Sequence, residues 1–286
     1  MPQSPVFRFA PSPNGPLHLG NVYSALLNAE LAARLGGRLL LRIEDIDLAR
    51  SRPEHIQRML DDLTWLGLRW EQPVRRQSEH FADYRAAAAR LTARGLLYPC
   101  FASRAEIEAA AGPGAARDPD GALVYPGLWR NADPERVARK MMTGEPFALR
   151  LDMARALAQV GGPLRWQSFE AAQPAVLHTV EADPARWGDA VIVRKETPAS
   201  YHLAVVHDDA LQGVTHVVRG ADLAPASDLH RLLQALQGLP TPLYHHHRLL
   251  ARTDGRKLSK SLGDTSIAQL RREGATPARI RELAGL

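Results

Sequence analysis

A strand, a helix and a strand open this chain in that order, and no other feature constrains its fold as much. Val6 to Ala10 reads as a short buried strand. A turn rich in proline and glycine follows, Pro11 to Gly15. A helix is predicted from near His18 to the glycine pair Gly36-Gly37, residues suited to a helix C-terminus. Arg38 to Ile43 is a leucine-rich run of strand length, predicted to be buried on both faces. That order calls for a parallel sheet, so the expected class is α/β.

The rest of the chain is less regular. Ser51 and Glu54 predict a capping box with Pro53 in the first turn, followed by Ile56, Met59, Leu60, Leu63 and Leu66 at helical spacing. A further helix is predicted from Ser78 to Arg94, ending at Gly95. After Tyr98 the α/β alternation is lost, and Ala111 to Gly121 reads as a loop. Strand-like runs return at Ala190–Arg194, Tyr201–Val206 and Val214–Arg219. A helix over Asp228–Leu236 and a strand-like element before His245 would complete the sheet. The last part reads as helical, with a Ser266/Gln269 capping box and a Thr276-Pro277 start. The expected division is 1–97 and 188–246 for the two halves of the sheet domain, 98–187 for an inserted α+β subdomain, and 247–286 for a C-terminal loop and helical segment.

Composition narrows the setting. Lys plus Arg total 36 against 31 for Asp plus Glu, a formal charge of +5. That balance suits a nucleic-acid partner and equally suits an ordinary arginine-rich surface. The single cysteine, Cys100, excludes an intrachain disulfide and fits a reducing compartment. No signal-peptide pattern is visible, and no apolar run reaches the ~20 residues needed to span a bilayer. A cytoplasmic protein without a membrane partner is expected.

Two segments carry chemistry. The first is Pro11-Ser-Pro-Asn-Gly-Pro-Leu-His18-Leu-Gly20-Asn21. It lies between a strand and a helix, where an open α/β sheet binds nucleotides. Gly20 would let a nucleotide approach the backbone. His18 could donate to a phosphate oxygen as charge builds there. A histidine at a helix start is, by itself, more often structural. The second is Gly255-Arg-Lys257-Leu-Ser-Lys260-Ser261. Two lysines three apart can clamp a triphosphate, and Ser259 and Ser261 add hydroxyls. The segment lacks the glycine pattern of a P-loop and, by itself, also reads as an exposed basic loop.

Taken together, these segments resemble the HIGH and KMSKS signatures of the class I aminoacyl-tRNA synthetases, in the right order. Asn21 stands where that signature ends in histidine. Arg8-Phe-Ala-Pro-Ser-Pro, Leu41-Arg-Ile-Glu44-Asp45-Ile-Asp47, Tyr201-His-Leu-Ala-Val-Val-His-Asp-Asp and Gly213-Val-Thr-His-Val-Val-Arg219-Gly220 resemble the glutamyl members in particular. The likeness spans residues 5–105 and 188–270. It implies a Rossmann-like parallel sheet and a pocket for L-glutamate formed by Arg8, Ala10, Ser12, Glu44, Tyr201 and Arg219. Two arginines would meet carboxylates and Glu44 the ammonium, with Ser12, Tyr201 and the Ala10 backbone adding hydrogen bonds. Alternatively, Arg8 and Glu44 form a structural ion pair. The resemblance also implies an ATP site at Pro11, His18, Gly20, Asn21, Lys257, Ser259 and Lys260. Within it His18, Lys257 and Lys260 would be catalytic, and magnesium would accompany ATP.

Full glutamyl-tRNA synthetases continue into an anticodon-binding domain, whereas this chain ends at Leu286, soon after Ser261. That layout resembles a paralogous family that consists of the catalytic part alone and transfers glutamate to queuosine in the anticodon loop of tRNA(Asp). Val205-Val206, read as part of a strand, and the Arg219-Gly-Ala-Asp222-Leu run fit the same family. A catalytic fragment that charges tRNA(Glu) is the nearest alternative, and a non-catalytic RNA-binding paralogue a third. Intact His18, Lys257, Lys260, Arg8, Glu44 and Arg219 argue against the last. Arg252, Arg256, Arg271 and Arg272 are candidate contacts for the tRNA anticodon arm or simply solvated charges. A monomer is expected.

One family feature is broken. Relatives in the resembled family carry zinc in the insertion, bound by a Cys-x-Cys pair, a tyrosine and a further cysteine. Here Cys100 and Tyr125 remain, but Ala102 and Trp129 occupy the other positions. A structural zinc site needs four good ligands, so no metal is expected. His245-His246-His247 reads as the end of a strand, and three adjacent histidines cannot all converge on one ion. Metal analysis of the purified protein is expected to find no stoichiometric zinc; a full complement would overturn this.

Overall fold

The structure, a computed structural model, describes residues 4–250 and 266–286. It opens as the sequence requires, with β1 (Val6–Phe9), α1 (Leu19–Arg34) and β2 (Arg38–Ile43). Next come α2 (Pro53–Trp65), β3 (Glu71–Arg76), α3 (Phe81–Ala93), β4 (Leu97–Cys100), α4 (Arg104–Ala111) and α5 (Pro134–Met142). The middle of the chain holds β5 (Ala148–Leu151), α6 (Met153–Val160), β6 (Arg165–Phe169), β7 (Leu177–Glu181) and β8 (Val191–Val193). Last are α7 (Tyr201–Leu211), β9 (His216–Gly220), α8 (Ala226–Gln237), β10 (Leu243–His247), α9 (Ile267–Arg272) and α10 (Pro277–Ala284).

The main sheet has the order β3-β2-β1-β9-β10-β6-β7. All neighbours are parallel except the edge pair β6–β7. From β1 the chain passes through α1 to β2 on one side, and from β9 through α8 to β10 on the other. The strand order therefore reverses between β1 and β9, the crevice where open α/β sheets hold ligands. A separate antiparallel sheet has the order β4-β5-β8.

Periodicity explains the packing. On α1, Val22, Ala25 and Leu26 pack with Phe9, Leu41 and Ile43 and with Ile56, Met59 and Leu63 of α2. Leu27 and Leu31 of the same helix pack with Phe7 and Val218. Each such aliphatic side chain contributes about 1.5–3 kcal/mol by leaving water. Asn28 is polar but fully buried, and its amide donates to Ser24 O and, across to β9, to Val218 O. No helix among the described residues is long and apolar enough to cross a membrane.

The structure corrects several expectations. Tyr201–Val206 is not a strand but the start of α7, capped by the Ser200 side chain on Leu203 N. Residues 202–206 are all buried, since α7 packs among α3, α6 and α8. A short run buried on every side carries no period that separates helix from strand. The expected capping box at Ser51 is not formed: α2 begins after Arg52, without a side-chain cap and with Pro53 leading. Strands β6 and β7, expected in the insertion, pair onto the main sheet through β10. Strand β8, expected in the main sheet, pairs with β5.

The four positions weighed for zinc in the sequence pack as a small core. Cys100, Ala102, Tyr125 and Trp129 are buried together with Phe101. The Cys100 thiol donates to the Tyr125 hydroxyl at 3.3 Å, and that oxygen also accepts from Trp129 N at 2.9 Å. Arg136 lies 4.1 Å above the Trp129 ring and Arg150 3.9 Å above Tyr125.

Gly37 marks how tightly the first strand pair is closed. Arg38 N donates to Pro5 O at 2.8 Å, and a Cβ on Gly37 would lie 2.5 Å from that same oxygen. Gly37→Ala is therefore expected to lower the unfolding free energy by about 1–3 kcal/mol, measured by urea denaturation.

Candidate active site

The reversal between β1 and β9 opens into a cavity of about 410 Å³. It is lined by the carboxyl ends of β1, β2, β9 and β10 and by the first turn of α1. Of the residues predicted from sequence, Arg8, Ala10, Pro11, Ser12, His18, Gly20, Asn21, Glu44, Tyr201 and Arg219 all line it. Lys257, Ser259 and Lys260 lie outside the described residues, as do Arg252 and Arg256. The segment that carries them is flanked by Leu250, which lines the cavity, and by Ser266, which is bridged to His18. Ile267 N donates to Leu17 O at 2.9 Å, fixing that second flank. Arg271 and Arg272 are exposed on α9, with the Arg271 guanidinium 5.2 Å from the Trp65 ring.

His18 is the N-cap of α1. Its Nδ1 accepts from Gly20 N at 3.1 Å and Asn21 N at 3.4 Å. Asn21 Oδ1 in turn accepts from His18 N at 3.3 Å, so the pair forms a capping box. This explains the asparagine at the last position of the signature: its side chain closes the cap. An Nδ1 that accepts from backbone amides carries no hydrogen, so the neutral ring bears its hydrogen on Nε2 as a donor. The cap also favours glycine at position 20, since a Cβ there would lie 3.0 Å from Nδ1 and Cε1 of His18.

Beneath the cavity lies a buried ion network. Arg8 Nε donates to Asp209 Oδ1 at 3.1 Å, and Arg42 Nη1 donates to the same oxygen at 2.7 Å. Arg42 also donates to Glu44 Oε1 at 3.1 Å and Gln212 Oε1 at 3.1 Å. Arg8 and Glu44 are therefore not each other's ion-pair partner, as the alternative reading had it. Burial works to raise the Asp209 carboxyl, but Arg8 and Arg42 hold it below the usual range. Burial raises Glu44 above the usual range despite Arg42 and Arg8. An ammonium group at Glu44 would favour its ionised form.

Sequence reasoning missed Arg42 and Asp209 as parts of the site. The signal was present for Arg42: it is charged, sits inside an apolar strand, and shares a face with Glu44 two residues on. Asp209 could be placed only by knowing that α7 is a helix.

Arg219 is held differently. It is 5 % exposed, and its Nη2 donates to Ser227 Oγ at 2.8 Å. Its Nη1 meets the Tyr201 hydroxyl at 3.2 Å and His230 Nδ1 at 3.3 Å, and its Nε meets His246 Nε2 at 3.4 Å. Among the described residues no carboxylate forms an ion pair with it. Burial, reinforced by Arg219, lowers His246 to about 3 and takes His230 well below its ordinary value. Burial also raises the Tyr201 phenol, so its hydroxyl keeps its proton.

Comparisons with known proteins agree with this geometry. The family described as tRNA synthetases class I (E and Q), catalytic domain, matches residues 6–285. A glutamyl-Q tRNA(Asp) synthetase of Rhodobacter capsulatus is 46% identical, the match covering 98% of this chain and 100% of that protein. A glutamate–tRNA ligase of Aquifex aeolicus is 36% identical over 94% of this chain, which spans 54% of that protein. The solved structure of a glutamate tRNA ligase from Elizabethkingia meningosepticum, in complex with its amino acid, superposes with a TM-score of 0.75 at 25% identity. That match covers 99% of this chain and 61% of the ligase. A reversed strand order, a capped histidine at its crevice and a match over nearly the whole chain lead to one conclusion: the chain belongs to the class I tRNA synthetases of the E and Q group.

Proposed function

We propose that this chain activates L-glutamate with ATP, taken as its magnesium complex, and transfers the glutamyl group to queuosine in the anticodon loop of tRNA(Asp). The observation that carries the first half is the charge balance of the buried groups. Three guanidiniums, Arg8, Arg42 and Arg219, stand against two carboxylates, Glu44 and Asp209. The excess is one positive charge, beside an acidic side chain able to meet an ammonium. L-glutamate has two carboxylates and one ammonium, hence the matching charge of opposite sign. A buried unmatched cation is costly, so a site of this kind favours an acidic ligand.

In the proposed reaction the α-carboxylate of glutamate attacks the α-phosphate of ATP. The bond to the bridging oxygen breaks and pyrophosphate leaves, giving glutamyl-adenylate. A hydroxyl of queuosine then attacks the acyl carbon; the bond from that carbon to the phosphate oxygen breaks, AMP leaves and the hydroxyl proton is released. No protein nucleophile is required. His18 Nε2–H would donate to phosphate oxygens, and Lys257 and Lys260 would neutralise charge on the departing pyrophosphate. Tyr201, Ser12 and the Ala10 backbone would orient the amino acid. The second half of the proposal rests on the relatives named glutamyl-Q tRNA(Asp) synthetase, which this chain matches at 40–46% identity. A cytoplasmic, monomeric enzyme belongs to the same proposal; the unpaired Cys100 thiol is in keeping with a reducing compartment.

A second reading, charging of tRNA(Glu), is favoured by the relatives named glutamate–tRNA ligase. Transfer of radiolabelled glutamate to purified RNAs separates the two. Label is expected on queuosine-containing tRNA(Asp) and not on the same tRNA without queuosine. Label on tRNA(Glu) alone would replace this proposal with the second reading. His18→Ala and Lys260→Ala are each expected to slow glutamate-dependent ATP–pyrophosphate exchange by about 10²–10³-fold. Near-normal exchange in either variant would remove that residue from the proposed machinery.

A further inference from the structure

We propose that Ser227, His230 and His246 are positioning residues that hold Arg219 through neutral acceptors alone, so that its charge selects a carboxylate over the matching carboxamide. The proposal rests on the reading that L-glutamate is the amino acid bound, and it includes the placement of the side-chain carboxylate at Arg219: Glu44, able to meet the ammonium, is joined through Arg42 to the Asp209 that holds Arg8, which puts the α-amino end on that side of the pocket.

The two arginines of the pocket are held in opposite ways. Arg8 is fixed by Asp209, so much of its charge is already answered. Arg219 is fixed just as fully, by Ser227 Oγ, His230 Nδ1, His246 Nε2 and the Tyr201 hydroxyl, none of which carries charge. These acceptors come from α7, α8 and β10, so the guanidinium is held from three elements at once.

Hydrogen-bond logic fixes the form of each ring. Arginine can only donate, so His230 Nδ1 and His246 Nε2 must accept. His230 then carries its hydrogen on Nε2 and passes it to His202 Nδ1 at 3.1 Å. The Ser227 hydroxyl accepts from Arg219 and gives its own hydrogen to His246 Nε2 at 3.0 Å. His246 Nε2 thus receives both Arg219 Nε and the Ser227 hydroxyl, and each histidine holds one hydrogen. A second proton on either ring would set cation against cation in a buried site. Burial and Arg219 both oppose that, which keeps the cradle uncharged.

An arginine so held has its geometry set and its charge unspent. A ligand carboxylate gains a charge-assisted contact from it, whereas a carboxamide of the same shape leaves it unmatched. A carboxylate built into the cradle would answer the charge from within and erase that difference.

The test compares ATP–pyrophosphate exchange with L-glutamate and with L-glutamine in variants at one position. His230→Leu removes the acceptor and is expected to raise KM for glutamate by about 10-fold or more, with KM for ATP unchanged. His230→Asn keeps a neutral acceptor where Nδ1 stood and is expected to recover most of that loss. His230→Asp adds charge and is expected to lower the glutamate-to-glutamine ratio of kcat/KM by about 10-fold or more. Circular dichroism checks folding; should the buried substitutions unfold the chain, Ser227→Ala and Ser227→Asp make the same comparison at the same guanidinium. Values within about 2-fold of the unaltered protein for both the Leu and the Asp variants would overturn the inference while leaving glutamate activation intact. An unaltered protein that prefers a neutral amino acid would overturn the functional reading, and this inference with it.

Discussion

Asp209 between two arginines is the interaction on which the rest of the site depends. It is buried on α7, and one of its carboxylate oxygens receives both Arg8 of β1 and Arg42 of β2. Burying three charged groups is unfavourable unless each finds its partners, and removing one partner of such a set typically costs about 3–5 kcal/mol. The network therefore specifies where α7 sits relative to the strand ends. With α7 fixed, the Tyr201 hydroxyl reaches Arg219, and with Arg42 fixed, Glu44 faces the cavity. A second carboxylate on the same helix, Asp208, extends the effect outward. It receives Arg75, Gln77 and Tyr84, which tie α7 to the segment from β3 through α3.

Local signals made the opening of the fold legible. The glycines after α1, the apolar spacing of α2 and the threonine-proline start of α10 each name an element end by short-range chemistry. Most site residues were legible for another reason: they lie in two contiguous motifs and at strand ends, so resemblance could carry them one by one. The missed pieces share a cause. Residues 202–206 of α7 are all buried, so that stretch had no exposed face to reveal. Asp209 and Arg42 meet across 167 positions of sequence, and β6 reaches β10 only through parallel pairing. Nothing local encodes such contacts; they follow once the layers are assembled.

The insertion holds its segments together by aromatic packing around Cys100. Ala102 and Trp129 are buried beside Cys100 and Tyr125. The Trp129 indole packs against Phe101, and Arg136 covers one face of it. The Tyr125 hydroxyl ties the strand end at Cys100 to the backbone of Trp129. Such a cluster joins these chain segments by apolar burial and two hydrogen bonds.

The route of the chain between its two sheets has a consequence for how the molecule can come apart. After β5 in the small sheet the chain enters the large one for β6 and β7, then returns for β8. The small sheet is thus completed only after part of the large sheet has been laid down along the chain. No single cut at each end of a continuous segment could lift it out as a cassette, because β6 and β7 would leave with it. Architectures threaded in this way tend to lose their parts together, so stability gained in either sheet is shared by the other. Exchange of such a region between relatives would have to follow the threading of strands, because a boundary drawn along the sequence alone would divide a sheet.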